Sequence, residues 1–235
     1  MPSRLHLEIL PQPDSTTCGP TCLHSVYSYF EDPLPLEDVV KDVAVLKGGG
    51  TLAVFLACHA LRRGYQATIF TYNLQVFDPT WLTDPSVDIR EKLVEQQRVK
   101  RKKILKTATQ GYLEFLDLGG TLRFEDLTSS LIQQYLAAGI PILTGLSATY
   151  LYRCIREIGE TCVDDDIRGK PAGHFVVLCG FDPFEETVRV ADPLSPNPLS
   201  PDTHYYYLKV ERVICSILLG ILTYDANLLI IEPRS

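Results

Sequence analysis

A cysteine with neighbours suited to nucleophilic chemistry lies near the start of this sequence. Cys18 comes directly before Gly19 and Pro20, and the apolar residues that follow recur at helical spacing. Because Pro20 fits the first turn of a helix, we expect Cys18 at the helix N-terminus. The free N–H groups and the positive dipole end at such a position favour a thiolate. Gln12, six residues earlier, carries an amide able to donate to a developing oxyanion.

A histidine and an aspartate suited to serve this cysteine lie much further along the chain, in a predicted β-hairpin. Segments 173–180 and 187–192 have the pattern of two antiparallel strands joined by the turn 182–186. The short turn sets a register that places His174 directly opposite Asp192 at the open end of the hairpin. A histidine held by a carboxylate, together with a thiol at a helix N-terminus, provides the nucleophile, base and orienting group of a triad.

These residues together resemble the bacteriocin-processing cysteine peptidases, which cut double-glycine leader peptides and have papain-like folds. The resemblance lies in Gln12, in Cys-Gly-Pro-Thr-Cys-Leu from Cys18, in Gly-His-Phe-Val-Val-Leu from 173, and in Ala-Asp-Pro around Asp192. It implies that Cys18 attacks, that His174 is the base, that Asp192 orients the base, and that Gln12 forms the oxyanion hole. It also implies an α+β fold, with an N-terminal helical part carrying the cysteine and a C-terminal antiparallel sheet carrying the histidine and aspartate.

The resemblance predicts a cysteine peptidase that hydrolyses a peptide or amide bond in a peptide or protein, with leader-peptide processing as one such role. It implies no cofactor and no metal. An acyltransferase or transpeptidase on the same scaffold would use the same residues, so that alternative stays open. A non-catalytic peptide-binding module is a further alternative, in which Cys18 and Cys22 bind a metal. Their spacing to His24 is unlike that of the usual zinc sites.

Three other groups of ionisable residues are candidates for chemistry. His59 falls inside a predicted helix, where a histidine is expected to be structural. The aspartates 164–166 are consecutive and do not alternate as calcium ligands do, so we expect an acidic surface loop. His204, next to three tyrosines, is a second candidate base, but its loop offers no orienting carboxylate beyond Asp202. We therefore favour His174.

One domain accounts for residues 1–235, but segment 73–125 departs from the pattern of the rest and lies outside the family resemblance. We interpret this segment as a helical insertion, built on one long helix from about 84 to 116. The helix would carry the run 98–106, with six positive charges in nine residues and no aromatic residue. That composition favours a solvent-exposed helix face over a nucleic-acid site.

Composition indicates a reducing compartment and argues against several partners. The net charge of −7 over 235 residues disfavours general nucleic-acid binding. The seven cysteines are odd in number and mostly lie in apolar runs, which favours reduced thiols in a cytoplasmic protein. The N-terminus lacks a signal-peptide core, and the longest apolar run, 213–222, is too short to span a bilayer, so no membrane insertion is expected. The oligomeric state is left open.

Local patterns predict the elements around the cysteine. Residues 5–10 alternate like a short strand that leads into the Gln12 loop. Thr51 is suited to cap the helix that follows it, and Gly64 fits the left-handed position after that helix.

Overall fold

Helices and strands follow one another along the whole chain in the computed structural model, which describes residues 2–161 and 163–234. Within these residues the helices are α1 (Cys18–Tyr29), α2 (Leu36–Asp42), α3 (Ala53–Arg62), α4 (Pro79–Thr83), α5 (Ile89–Val99), α6 (Lys103–Asp117), α7 (Ser129–Ala137), α8 (Ala148–Tyr152) and α9 (Val210–Leu219). The strands in the same residues are β1 (Ser3–Arg4), β2 (Gln66–Thr71), β3 (Thr121–Arg123), β4 (Ile142–Ser147), β5 (Glu157–Ile158), β6 (Val163–Asp164), β7 (Gly173–Asp182), β8 (Thr187–Ala191), β9 (Tyr205–Lys209) and β10 (Asn227–Glu232).

Eight of the described strands form one sheet, with the path β3-β2-β10-β4-β7-β8-β9. Neighbours on this path are antiparallel except β2 and β3, which are parallel. β1 pairs with the end of β7 that β4 leaves uncovered, where Ser3 lies opposite Phe181. β5 and β6 form a separate pair. The predicted α+β class is confirmed, with the cysteine on an N-terminal helix and the histidine in the antiparallel sheet.

The core lies between this sheet and the helices that pack on it. α1 packs against β7, β4 and α3, while α9 packs against β4, β8 and β9. Every residue of β7 from His174 to Phe181 is buried, as expected for an apolar strand covered on both faces. Cys18 and His174 therefore lie on elements that pack directly against each other. No helix among the described residues is both long enough and apolar enough to cross a membrane.

The strand predicted at residues 5–10 is wrong, because strand pairing in this region ends with β1. The alternation of apolar residues instead reflects burial of Leu5, Leu7 and Ile9 in the core. The hydroxyl of Tyr205 binds this extended segment by donating to the Leu7 carbonyl oxygen (3.0 Å) and accepting from the Ile9 N–H (3.2 Å). A side chain from β9 thus replaces the missing strand partner.

The cap predicted for α3 is also wrong. Thr51 donates its hydroxyl to the Ala44 carbonyl oxygen (2.8 Å), and the Asp225 carboxylate accepts from the Ala53 N–H (2.8 Å). The N-terminus of α3 is therefore capped by a residue that lies next to β10. Gly64 does adopt the predicted left-handed conformation after α3, with φ of +94°.

Segment 73–125 contains three helices and β3, so the single long helix predicted there is wrong. α5 ends at Val99 and α6 begins at Lys103, because Lys100 and Lys102 have extended backbone conformations. The basic run spans this break. Like charges three and four residues apart repel along a helix, which accounts for the interruption at the most basic point of the segment.

α6 fixes this segment to the rest of the protein by packing on α3. Its buried face includes Leu105, Tyr112 and Phe115. Gly111 allows the close approach, since a Cβ atom there would lie 2.6 Å from the Phe55 ring. That the segment is an insertion into a single papain-like domain stays a prediction.

Candidate active site

Cys18 is the first residue of α1, as the sequence predicts, and only 9% of its surface is exposed. No side chain caps this helix start, so its N–H groups are free for a ligand. The lack of a side chain at Gly19 lets the helix start lie close to β7 and to the loop before α3. A Cβ atom at this position would lie 2.6 Å from Thr51 and 3.2 Å from Phe175. Cys18 is thus held close to the first residues of β7.

His174 and Asp192 are in direct contact, with 2.8 Å between His174 Nε2 and Asp192 Oδ1. His174 is the second residue of β7, and Asp192 follows the last residue of β8. Both are buried, Asp192 completely. Because Nε2 faces the carboxylate, Nδ1 is the ring nitrogen left for Cys18.

The register predicted for this hairpin is wrong by two residues. Val177 pairs with Ala191, and a bulge at Cys179 shifts the pairing between there and the turn. Continued past Ala191, this pairing sets Val176 opposite Asp192 and makes His174 a diagonal neighbour. Side chains two residues apart on a strand share a face, so the contact survives the shift.

The pair carries opposite charges that stabilise each other. Burial disfavours the imidazolium, but the Asp192 carboxylate and the Cys18 side chain outweigh burial and raise the pKa of His174 to about 10. Burial also disfavours the carboxylate, but the His174 charge and its hydrogen bonds hold the pKa of Asp192 well below its usual range. The charge of the Cys18 side chain acts on His174 in the same direction as that of Asp192. The arrangement therefore stabilises an imidazolium next to the thiol.

Gln12 lies in the loop before α1, and its backbone is bound to the residue that follows Asp192. The Gln12 N–H donates to the Pro193 carbonyl oxygen (2.9 Å). Its side-chain Nε2 donates to the Asp14 carbonyl oxygen (2.7 Å), which uses one of two amide hydrogens. Its Oε1 is buried without a partner among the described residues. The loop is thus anchored at both its backbone and its side chain.

Cys18 and His174 line a cleft of about 650 Å³. One group of lining residues is the loop 47–50, which includes three consecutive glycines, and another is the segment 170–175. Asp225 also lines the cleft, and burial raises the pKa of its carboxyl to about 7. The volume falls in the usual range for ligand sites.

A match to a protein-family profile shows which family this chain belongs to. The profile described as "Peptidase_C39 like family" matches residues 4–211, which include Cys18, His174 and Asp192. The chain belongs to the Peptidase_C39-like family. No match is found among curated protein sequences.

Several solved structures resemble this Peptidase_C39-like chain. A putative C39-like peptidase from Bacillus anthracis is 14% identical, with a TM-score of 0.51 and coverage of 100% of this chain and 99% of that one. The peptidase domain of Streptococcus ComA, a bi-functional ABC transporter, is 14% identical, with a TM-score of 0.46 and coverage of 97% and 100%. A double glycine motif protease from an AMS/PCAT transporter, solved with a leader peptide, is 15% identical, with a TM-score of 0.46 and coverage of 99% and 95%. The first of these shows that the fold is that of a C39-like peptidase.

Two other histidines of this Peptidase_C39-like chain, His204 and His59, are held by hydrogen bonds outside the proposed triad. His204 does not line the cleft, and its Nδ1 lies 3.0 Å from the Asp192 carbonyl oxygen. His59 Nδ1 lies 2.8 Å from the Tyr27 hydroxyl, in agreement with the structural role predicted for it.

The remaining cysteines and aspartates that the structure describes make other contacts. The Cys22 thiol donates to the Phe175 carbonyl oxygen (3.3 Å), and burial raises its pKa well above the usual range. Asp165 accepts from the Ile167 and Arg168 N–H groups, which makes the acidic run a surface turn. Among the described residues, no group of three or more potential ligands could hold a metal ion. The six cysteines described are free, and Cys162 lies outside the described residues.

The sequence reasoning missed two tyrosines of the site. Tyr152, at the end of α8, and Tyr206, on β9, both donate to Asp192 Oδ2, at 2.7 and 2.6 Å. Tyr206 pairs with Val190 on β8, so it lies diagonally from Asp192. This alternation was available in the sequence, whereas nothing in the local pattern points to Tyr152.

Proposed function

We propose that the protein is a cysteine peptidase that hydrolyses a peptide bond through Cys18, His174 and Asp192. The observation that carries the proposal is the buried His174–Asp192 hydrogen bond of 2.8 Å next to Cys18 at a helix N-terminus. Membership of a peptidase-like family supports it. A nucleophile, a base and an orienting carboxylate in contact are the elements required for acyl transfer.

In the proposed reaction, the Cys18 thiolate attacks the carbonyl carbon of the scissile bond, while His174 holds the proton that the thiol has lost. His174 then gives this proton to the leaving amine as the carbon–nitrogen bond breaks. Water, deprotonated by His174, releases the second product from the thioester and restores the thiol. Asp192 stays ionised throughout and stabilises the imidazolium.

The oxyanion formed by the attack needs hydrogen-bond donors that are already in place. The Cys18 backbone N–H, at the helix start, is one donor that we propose. The amide hydrogen of Gln12 that Asp14 does not use is the other. Anchoring of this loop to Pro193 supports the role, because a fixed donor needs no reorganisation during the reaction.

The substrate class that we propose is a peptide, and within that class the leader of a precursor peptide. The glycines of loop 47–50 line the cleft without side chains, which leaves room for an extended chain. The sequence-based expectation of a cytoplasmic location belongs to the same proposal, because Cys18 must stay reduced to act.

Turnover of defined peptides tests the proposal. The purified protein is incubated with precursor peptides and with a random peptide library, and new termini are identified by mass spectrometry. Cys18→Ala should reduce cleavage by about 10⁴–10⁶-fold, as removal of a nucleophile does in other proteases. Cys215→Ala, which removes an exposed thiol, is the matched control and should retain cleavage. Cleavage that survives Cys18→Ala would refute the proposed nucleophile.

The same assay separates hydrolysis from transfer to an amine. With an added amine in large excess, a hydrolase releases mainly a free carboxylate, whereas a transferase releases mainly the amide of that amine. If the amide is the main product, the protein is an acyltransferase that uses the same residues, and the proposed peptidase function is wrong.

A further inference from the structure

The Asp192 carboxylate accepts four hydrogen bonds, two on each oxygen. Oδ1 accepts from His174 Nε2 (2.8 Å) and from the Leu194 N–H (3.0 Å). Oδ2 accepts from the Tyr152 hydroxyl (2.7 Å) and the Tyr206 hydroxyl (2.6 Å). A carboxylate has about four lone-pair sites, so all of them are occupied. Orienting His174 requires only one of these bonds.

We infer that Tyr152 and Tyr206 are positioning residues that share the negative charge of Asp192 and so limit the basicity of His174. This inference rests on the proposed function, in which His174 must both take and release a proton. The two phenols come from α8 and β9, on either side of Asp192 in the sequence, and converge on the one oxygen that does not face His174.

Both phenols remain hydrogen-bond donors over the whole pH range in which the protein would work. Burial and the adjacent Asp192 charge raise the pKa of Tyr152 and of Tyr206 far above its usual value. Neither hydroxyl therefore loses its proton, and the carboxylate cannot itself donate while ionised. The direction of both bonds is fixed, with the phenol hydrogens placed on Oδ2.

The effect on His174 follows from how a carboxylate distributes its charge. Hydrogen bonds to a charged group stabilise it more than bonds between neutral groups do. The two phenols draw negative charge toward Oδ2 and weaken the attraction between Oδ1 and the imidazolium. Without them, a completely buried carboxylate would hold the proton on His174 more tightly and delay its transfer to a leaving amine.

Tyr152 also restricts the position of the imidazole itself. Its ring lies against the His174 ring, with centroids 6.0 Å apart and a 52° angle between the planes. The Leu151 carbonyl oxygen accepts from Arg212 on α9, which holds the end of α8 in place. Tyr152 thus contacts both partners of the His174–Asp192 hydrogen bond.

Other ionisable groups lie around this pair and are the same in all the variants that are compared. They are Cys18 and Cys22 on α1, Arg212 on α9, which acts on Tyr206, His204 against the Asp192 backbone, and Asp225 across the same cleft.

Nuclear magnetic resonance measures the basicity of His174 directly. The ring carbon–hydrogen signals of the five histidines are followed against pH in full-length protein with Cys18→Ala. The signal of His174 is assigned by its loss in His174→Gln. Because Cys18 raises the pKa of His174, removal of the Cys18 thiol should lower the pH at which His174 titrates. The folded protein tolerates this lower pH better. Tyr152→Phe, Tyr206→Phe and the double variant are then compared.

Each single variant should raise the pKa of His174 by about 0.5–1 pH unit, and the double variant should raise it further. Tyr205→Phe is the matched control, because Tyr205 lies on β9 next to Tyr206 and its hydroxyl binds Leu7 and Ile9 but not Asp192. It should lower the melting temperature without moving the His174 titration.

A His174 titration that stays in place or falls in the tyrosine variants overturns the inference. If Tyr206→Phe does not fold, Tyr152→Phe decides alone, because Tyr152 is only half-buried. The measurement requires no turnover, so it separates the two proposals. A protein without peptidase activity whose His174 still shifts would refute the proposed function and leave the tyrosine role standing.

Discussion

Two buried carboxylates near one cleft, Asp192 and Asp225, show opposite electrostatic behaviour. Asp192 has a cationic partner and four donors, and its pKa lies below the usual range although it is completely buried. Asp225 accepts from the Ala53 N–H, which offsets burial only in part, and its pKa is raised to about 7. Burial alone therefore does not set the charge of a carboxylate, because donors and nearby charges decide it.

The most direct test of this difference is to neutralise each carboxylate in turn. Asp192→Asn should reduce turnover by about 10⁴-fold, since the amide no longer stabilises the imidazolium or keeps Nε2 protonated. Asp225→Asn, which removes a carboxylate that has no contact with His174, should leave most of the turnover. Initial rates of peptide cleavage measure both. Equal losses would show that the charge of the cleft, and not the contact with His174, governs the rate.

The next largest effect is expected for Gln12, whose backbone N–H is bound to Pro193, the residue after Asp192. Gln12→Ala should lower kcat by about 10²–10³-fold with little change in KM, because the proposed donor acts on an oxyanion that forms only during the reaction.

Iodoacetamide labelling of Cys18 provides the control for Gln12, since alkylation builds no oxyanion at that position. Labelling should proceed at a nearly unchanged rate in Gln12→Ala. A joint loss of labelling and turnover would mean that Gln12 holds the Cys18 loop in place and has a structural role only.

Thermal unfolding tests the Asp225 half of the comparison. With a pKa of about 7 in the folded state and about 3.9 unfolded, Asp225 reduces stability as pH rises between these values, by roughly 1.4 kcal/mol per unit at most. Asp225→Asn should therefore melt higher than wild type at pH 8, by about 2–4 °C for each kcal/mol regained. The difference should shrink toward pH 4. A variant that melts lower at pH 8 would mean that capping of α3 requires the charge.

Asp192 should give the opposite slope, and the pH dependence of its contribution to stability is confined to acid. A carboxyl whose pKa is depressed by folding contributes stability above its unfolded pKa of about 3.9, and this stability is lost as pH falls through the lower folded value. Asp192→Asn should thus unfold at lower temperature than wild type near pH 7, and the two should converge only in strong acid. A constant difference down to pH 2 would contradict the depressed pKa.

The sequence predicted which side chains of the site lie together better than it predicted the register of the hairpin. Cys18 at a helix start follows from Gly-Pro alone, and the hairpin follows from two apolar runs around a turn. β7 continues to Asp182, which pairs with Thr187, so the pairing next to the turn lies three residues from the predicted one, and the bulge at Cys179 reduces this difference to two at the open end. The contact between His174 and Asp192 was still correct, because an even shift preserves the face on which a side chain lies.

Contacts between distant segments account for most of what the sequence could not predict. Thr51 has the right type and position for a cap, but Asp225 takes that role from 172 residues away. Tyr152 reaches Asp192 from a short helix whose length gives little periodic signal. The break at Lys100 could have been predicted, since the density of like charges was visible in the sequence.

The position of β10 has a consequence for the order in which the protein is made. β10 is synthesised after the other strands described here, yet it lies between β2 and β4 in the middle of the sheet. Until it emerges from the ribosome, the sheet exists as two unconnected pieces, and Asp225 has not yet reached the start of α3. We therefore expect a nascent chain to carry Cys18 and His174 for some time before the sheet and the cleft are complete.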